Sequence, residues 1–366
     1  MDVISELKKN PNPRAAWTVA DVTEDTSWIN QLSPDIATEL LSTVRNGRRE
    51  EKSMLEYRKT DFPFSDAVLN ALTTSFREVR DGRGMALIKG IPRENVRPDE
   101  FALITWAIGL HFGVARPQDR STSYMNEVKN IGTDYRSPNG RGYSSHEQLD
   151  FHVDGADIVL LSCYNQAPVG GMSMCTSAVK ALEVVAHERS ELARTLLLPY
   201  PFSKNGQEAP GEASWINAPI YGFEEGRTFC AWNRNRVWNA QRLEGVPSLT
   251  ALQSEAIGYL DAVIRRPDLM YCMHLERGDL QLLSNQTILH SRTSFQDDAN
   301  ESNKRTLYRL WLAMPDSFKL PKGWDLYTGS CEAGTVRGGN KGLNYDAHCL
   351  RFDTDQALAM GMSFQP

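Results

Sequence analysis

Leu149-Asp150-Phe151-His152-Val153-Asp154-Gly155-Ala156-Asp157 is the stretch from which the rest of the chain can be read. In an extended segment side chains alternate between two faces, so His152 and Asp154, two residues apart, point the same way. An imidazole beside a carboxylate supplies two thirds of the facial triad that holds non-haem Fe(II) while leaving coordination positions open. The third ligand must come from far along the chain, and His290 is the candidate. A lone His-x-Asp is common by chance, so the remaining sequence has to carry the argument.

With 366 residues the chain can bury a large core, and 41% hydrophobic with 23% charged residues is the composition of a globular protein. The net charge is -6, and the one basic cluster, Arg45-Asn46-Gly47-Arg48-Arg49, runs directly into Glu50-Glu51. That balance argues against a nucleic-acid partner or an acidic membrane surface. No apolar run is long enough to span a bilayer, and the first residues lack the basic-then-apolar pattern of a secretory signal. The six cysteines show no CxxC or zinc-finger spacing, so they are expected to be free thiols in a reducing compartment, by default the cytoplasm.

Along the chain, residues 1 to about 30 are polar and poorly periodic and are expected to lie as an arm over the body. Ser33-Pro34-Asp35 starts a helix, with Ser as N-cap and Pro at the first helical position; Gly47 marks its end. Ser65-Asp66 and Pro98-Asp99-Glu100 start two more, and Met85–Gly90 between them reads as a short strand. From about residue 114 short apolar runs alternate with Gly, Pro, Asn and Asp turns, which favours a β-sandwich or barrel. The expected strands are 158–164, 171–176, 228–232, 269–273, 280–283 and 307–312, interrupted by helical patterns near 177–196 and 248–265. The 199–218 stretch reads as a long loop, a length often associated with lids. No linker divides the chain. It is expected to be a single domain, with a helical scaffold over 1–112, a β core over 113–314 and an irregular cap over 315–366.

The seven histidines are His111, His146, His152, His187, His274, His290 and His348. His187 sits in a charged helical pattern, His111 ends a helix and His348 lies in the irregular tail. His146 and His274 are harder to set aside. His290 gains weight from the run downstream of it: Arg305-Thr306-Leu307-Tyr308-Arg309-Leu310-Trp311-Leu312 places two arginines four apart in a β-rich run, hence on one face. Buried guanidinium groups need anions, and their planar fork suits a carboxylate. That carboxylate could equally belong to the protein.

Taken together, the chain from about Gly113 to Met314 resembles the taurine dioxygenase and clavaminate synthase superfamily of Fe(II)/2-oxoglutarate-dependent oxygenases. The resemblance is carried by Arg141-Gly142-Tyr143, Phe151–Asp157, Gly170-Gly171-Met172-Ser173, Arg277-Gly278-Asp279, Leu289–Thr293 and Arg305–Leu312, in that order. It implies a mostly β architecture with flanking helices, a double-stranded β-helix (a cupin-like jelly roll) behind N-terminal helices. It implies Fe(II) on His152, Asp154 and His290, and 2-oxoglutarate clamped by Arg305 with help from the Ser173 hydroxyl. Arg309 would contact the cosubstrate or an anionic group of the substrate. Asp154 excludes a halogenase, since halogenating relatives have a small residue there.

The implied reaction consumes O2 and 2-oxoglutarate, releases succinate and CO2, and hydroxylates, desaturates or cyclises a small substrate, a carboxylate-bearing amino acid or natural-product intermediate. Residues flanking the ligands are the candidate substrate contacts: Gln118, Tyr143, Leu149, Phe151, Asp157, Arg292 and Arg309. No macromolecular partner is implied, and self-association into a homo-oligomer is compatible with the sequence. Two other readings remain, a non-catalytic metal-binding jelly roll and a zinc hydrolase. Neither explains a cosubstrate clamp downstream of an intact triad.

Overall fold

Ile158–Asn165 and Thr306–Ala313 pair antiparallel over nearly their whole length, Leu312 opposite Ile158 and Thr306 opposite Asn165, and form the middle of a seven-stranded sheet. Beyond Ile158–Asn165 come Leu280–Ser284, Met85–Lys89 and Ile29–Gln31, the last pair parallel. On the other side Val114–Arg116 and Met125–Val128 both pair with Thr306–Ala313. A smaller antiparallel sheet has the order Tyr271–Met273, Ser173–Ser177, Ile288–Arg292. These features come from a computed structural model that describes residues 2–133 and 142–365, without the Tyr143 side chain.

The alternation of side chains on Thr306–Ala313 separates the layers. Tyr308, Leu310 and Leu312 face an outer core with Phe101, Ile104 and Ile108 of the helix Pro98–Phe112. Leu307 and Trp311 face the other way, into a core between the sheets with Val159, Cys175, Met273 and Ile288. Full burial of a side chain of this size is worth about 1.5–3 kcal/mol, so these two faces fix the register of the strand. The helix is buried continuously from Phe101 to Leu110, as befits one enclosed between a sheet and other helices. Behind the small sheet, the helices Ala178–Glu188, Ser190–Thr195 and Ala251–Val263 close a third core.

The strands and helices expected from periodicity are present near their expected positions, with Ser33 and Ser65 as N-caps accepting from Ile36 and Val68. Four expectations are corrected. The molecule is a mixed helix–sheet fold rather than mostly β, because helices cover both sheets. The first thirty residues are not a surface arm. Trp17, Val22 and Trp28 are buried between the sheets, each indole N–H meets a carbonyl (Arg83 at 2.9 Å, Val22 at 3.0 Å), and Ile29–Gln31 joins the large sheet. Their anchors are too irregularly spaced to show a period.

The 199–218 stretch is a hairpin, Pro199–Ser203 paired with Trp215–Pro219, so only 204–214 is loop. The tail is not irregular throughout, since Ala347–Met360 is a helix carrying His348. Asp346 caps it by accepting from two backbone N–H groups, and Gly361 ends it in the left-handed conformation. The six cysteines are free. Among the described residues no helix is long and apolar enough to cross a membrane.

Candidate metal centre

The segment carrying His152 runs antiparallel beside Ile288–Arg292 as an extra rung of the small sheet. His152 and His290 exchange both backbone hydrogen bonds, at 3.0 Å each, so they sit directly opposite and their rings project on the same side. The ring centroids are 4.5 Å apart. Alternation sends Phe151 and Val153 into the helix-backed core and brings Asp154 back to the His152 face. Asp154 is held there by its own N–H, which donates to the Asn285 side-chain oxygen at 3.0 Å. The ligand atoms of His152, Asp154 and His290 all lie within 4.8 Å of one another, the one such cluster of three metal-ligating side chains among the described residues.

His152 and Asp154 are each in their metal-binding state. The Asp150 carbonyl lies 2.9 Å from His152 Nδ1, which fixes the proton on that nitrogen and leaves the Nε2 lone pair free. Burial, reinforced by the neighbouring His290 ring, pushes the His152 pKa down to about 4, so the imidazole is neutral at ordinary pH. Burial would raise the Asp154 carboxyl, but Arg309, His290 and His152 outweigh it and hold it well below the usual carboxylate range. Asp154 Oδ2 is buried without a hydrogen-bond partner. A buried carboxylate oxygen facing two imidazole rings is satisfied by a cation. Two imidazoles and one carboxylate are the donor set that suits Fe(II).

The strand Thr306–Ala313 supplies the second half of the site. Arg305, Leu307, Arg309 and Trp311, every second residue, line one cavity of about 160 Å³ with the triad. Arg305 is 6% exposed, and burial pushes its pKa down to about 10. Among the described residues no carboxylate pairs with it, and Nη1 has no hydrogen-bond partner. Gly171, at φ +70°, leaves it room, since a Cβ there would lie 3.0 Å from Arg305 Nε. Ser173 lines the same cavity, its hydroxyl donating to Gln281 at 2.9 Å.

Arg309 is engaged differently. Its Nε donates to Gln118 Oε1 at 2.7 Å and its Nη1 lies 3.4 Å from Asp154 Oδ1. Among the described residues, pairing with a protein carboxylate, the alternative left open for both arginines, therefore applies to Arg309 and not to Arg305.

The other candidates divide. Leu149 and Arg292 line the cavity, Arg292 also donating to the Glu147 carbonyl. Gln118 lines it while gripping Arg309. The Phe151 ring borders the cavity but is wholly buried in the helix-backed core. Tyr143 lies outside the described side chains. Asp157 is a correction: it accepts from Arg337 at 2.7 Å and from the Met314 N–H at 2.9 Å, away from this cavity. Alternation explains it only in part, because the chain bends at Gly155 before Asp157 turns toward the C-terminal segment. His146, His187 and His274 are exposed and outside the triad.

Missed from the sequence were Asn205, Asn233, Arg236 and Asn340, which also line the cavity, and Asn285 behind Asp154. Asn233 had a readable signal as the N-cap of Arg234–Ala240, accepting from the Arg236 N–H. Asn340 reaches the site through a long return of the chain and had none.

Comparison with known proteins agrees with this geometry. FR-33289 synthase of Streptomyces rubellomurinus (strain ATCC 31215) is 24% identical over 322 residues, 87% of this chain and 95% of that protein. Taurine hydroxylase-like protein SAT17 of Stachybotrys chartarum (strain CBS 109288 / IBT 7711) is 24% identical over 262 residues, 68% of this chain and 66% of that one. The fold is shared with an asparagine oxygenase crystal structure, at TM-score 0.61 and 15% identity over 85% of this chain and 99% of that one. It is shared also with the non-haem iron oxygenase OrfP in complex with Fe and alpha-ketoglutaric acid, at TM-score 0.59 and 15% identity over 78% and 94%. A family-wide match runs from residue 50 to 311 and takes in the three ligands and both arginines. On that span the chain belongs to the Taurine catabolism dioxygenase TauD, TfdA family.

Proposed function

We propose that this chain, an Fe(II)/2-oxoglutarate dioxygenase by family, hydroxylates an unactivated C–H of a small amino-acid-like substrate that carries a carboxylate. The observation that carries the reading is Arg305, a guanidinium buried in the triad's own cavity with no carboxylate partner among the described residues. A cation in that position is costly until an anion arrives, and a dicarboxylic cosubstrate is such an anion. A non-catalytic metal module or a zinc hydrolase has no use for it. Two solved relatives support the substrate class, an asparagine oxygenase in complex with 3-hydroxyasparagine and succinate and OrfP in complex with hydroxy-L-arginine. Desaturation and cyclisation share the same early chemistry. The two sheets with the site between them fit a double-stranded β-helix, and the free cysteines fit the cytoplasm.

In this reading His152 and His290 hold the iron through imidazole nitrogen and Asp154 through carboxylate oxygen. Iron and 2-oxoglutarate together supply the O2 activation that yields succinate, CO2 and an oxidised substrate. The chain's own part is placement. Arg305 would pair with the distal carboxylate of the cosubstrate, and the Ser173 hydroxyl would add a hydrogen bond by turning its O–H from Gln281 to that carboxylate. Gln118 fixes Arg309, and Arg309 keeps Asp154 ionised. Leu149, Leu161, Leu307 and Trp311 give the cavity apolar walls that exclude water from the reacting carbon.

Anaerobic absorbance tests the reading. Fe(II) and 2-oxoglutarate added to metal-free protein should give a weak visible charge-transfer band that His290→Ala abolishes. Iron binding with no such band would remove the oxygenase reading.

A further inference from the structure

We infer that Arg236 is the anchor for the substrate's anionic group, an inference that rests on the oxygenase reading. A second cavity of about 350 Å³ neighbours the one around the triad, and Arg236 and Asn340 line both, standing at the junction. The other arginines of the inner cavity already have work. Arg305 is set aside for the cosubstrate, Arg309 lies against Asp154 and Gln118, and Arg292 donates to the Glu147 carbonyl. Arg236 differs from them. It shares the wall of the second cavity with the Tyr327 side chain, and no ion pair ties it to a carboxylate among the described residues. A half-buried guanidinium with no ion-pair partner among the described residues keeps most of its fork free for an incoming anion.

Two features fix Arg236 relative to the chemistry. Its helix, Arg234–Ala240, is capped by Asn233, whose side chain accepts from the Arg236 N–H at 3.1 Å. Asn233 is at the same time bridged to His152 through the backbone. One residue therefore links the metal ligand to the turn that carries the arginine. The outer cavity has the same sign. Its one lining carboxylate among the described residues, Glu212, is paired with Lys204 at 2.9 Å, while Lys341 rests on the Tyr345 ring. A substrate lying with its reacting carbon near the triad thus has a cation at the junction and positive potential beyond it. The chemical class selected is a small molecule with a carboxylate, phosphate or similar anion set apart from the attacked C–H. A substrate whose far end is cationic is disfavoured.

The test is arginine labelling with phenylglyoxal, read by peptide mass spectrometry, on full-length protein loaded with Mn(II) and 2-oxoglutarate. Acetate and methylphosphonate serve as anionic probes and acetamide as a neutral one of similar size. Both anions should slow labelling of Arg236 severalfold, acetamide should not, and the exposed Arg351 should label at one rate throughout. Labelling of Arg236 that is indifferent to the anions, or slowed equally by acetamide, overturns the assignment. The Fe(II)–2-oxoglutarate charge-transfer band is recorded in parallel. Its absence would remove the oxygenase reading, whereas its presence with an unprotected Arg236 would remove only the anchor.

Discussion

Arg305 and Asp154 are both charged and both buried, and their surroundings tell them apart. Asp154 has Arg309 at 3.4 Å, His290 at 3.6 Å and His152 at 3.9 Å, whereas Arg305 has no ion-pair partner among the described residues. Removing Arg305 should therefore not destabilise the protein alone, since it strands no carboxylate. It should instead weaken cosubstrate binding. A desolvated, hydrogen-bonded charge pair is worth roughly 2–5 kcal/mol on truncation, so Arg305→Ala should raise the 2-oxoglutarate requirement by about 30- to 4,000-fold at about 1.4 kcal/mol per decade. Titration of the visible band checks it, and an unchanged midpoint would refute the clamp.

Asp154→Ala should abolish coupled turnover, measured as substrate-dependent succinate release, with the circular dichroism spectrum unchanged. His187→Ala, at an exposed helical position, should change neither. The triad was legible because two ligands share one extended segment and the third precedes a run with its own arginine pattern. The division of labour between Arg305 and Arg309 was not legible, because it depends on Gln118, whose position relative to the strand only the fold sets.

Strands place the reactive groups, and the turn after Leu280–Ser284 secures one of them. Asn285, in that turn, accepts the Asp154 N–H and thereby fixes the backbone between the His152 rung and the bend at Gly155. Asn285→Ala leaves that buried N–H without its acceptor, which costs about 1–3 kcal/mol. Partners that orient a metal ligand usually contribute about 10- to 100-fold in metal affinity. Competition titration with a metal indicator should show a loss in that range while the His152 and His290 backbone rung remains. An affinity equal to wild type would mean that Asp154 is positioned by the sheet alone. Regular elements were readable where one period runs through a whole segment, as in Thr306–Ala313. They were not readable where anchors such as Trp17, Val22 and Trp28 each serve a separate contact, or where a hairpin is rich in Pro and Gly, as in 199–219.

Over the whole chain, the C-terminal segment completes the cavity from the outside. Gly339 N–H donates to the Gly155 carbonyl at 2.6 Å, next to the metal ligand Asp154, and Asn340 N–H to the Pro117 carbonyl at 2.7 Å. This course sets the Asn340 side chain in the cavity wall. The segment is pinned by Arg337, buried at 4% exposure and paired with Asp157, which also receives Gln286 at 3.2 Å and the Met314 N–H. Asp157, a candidate substrate contact by sequence, is thus a fastening between the His152 segment and the tail. Removing one partner of a buried pair typically costs about 3–5 kcal/mol because the other charge stays buried. Asp157→Ala should lower the unfolding free energy measured by urea titration by an amount of that order. The charge-transfer band of Fe(II) and 2-oxoglutarate should persist under native conditions, because neither the triad nor Arg305 touches Asp157. A variant with wild-type stability and a lost substrate response would return Asp157 to the substrate pocket; a destabilised variant with the band intact makes the tail a structural part of the cavity wall.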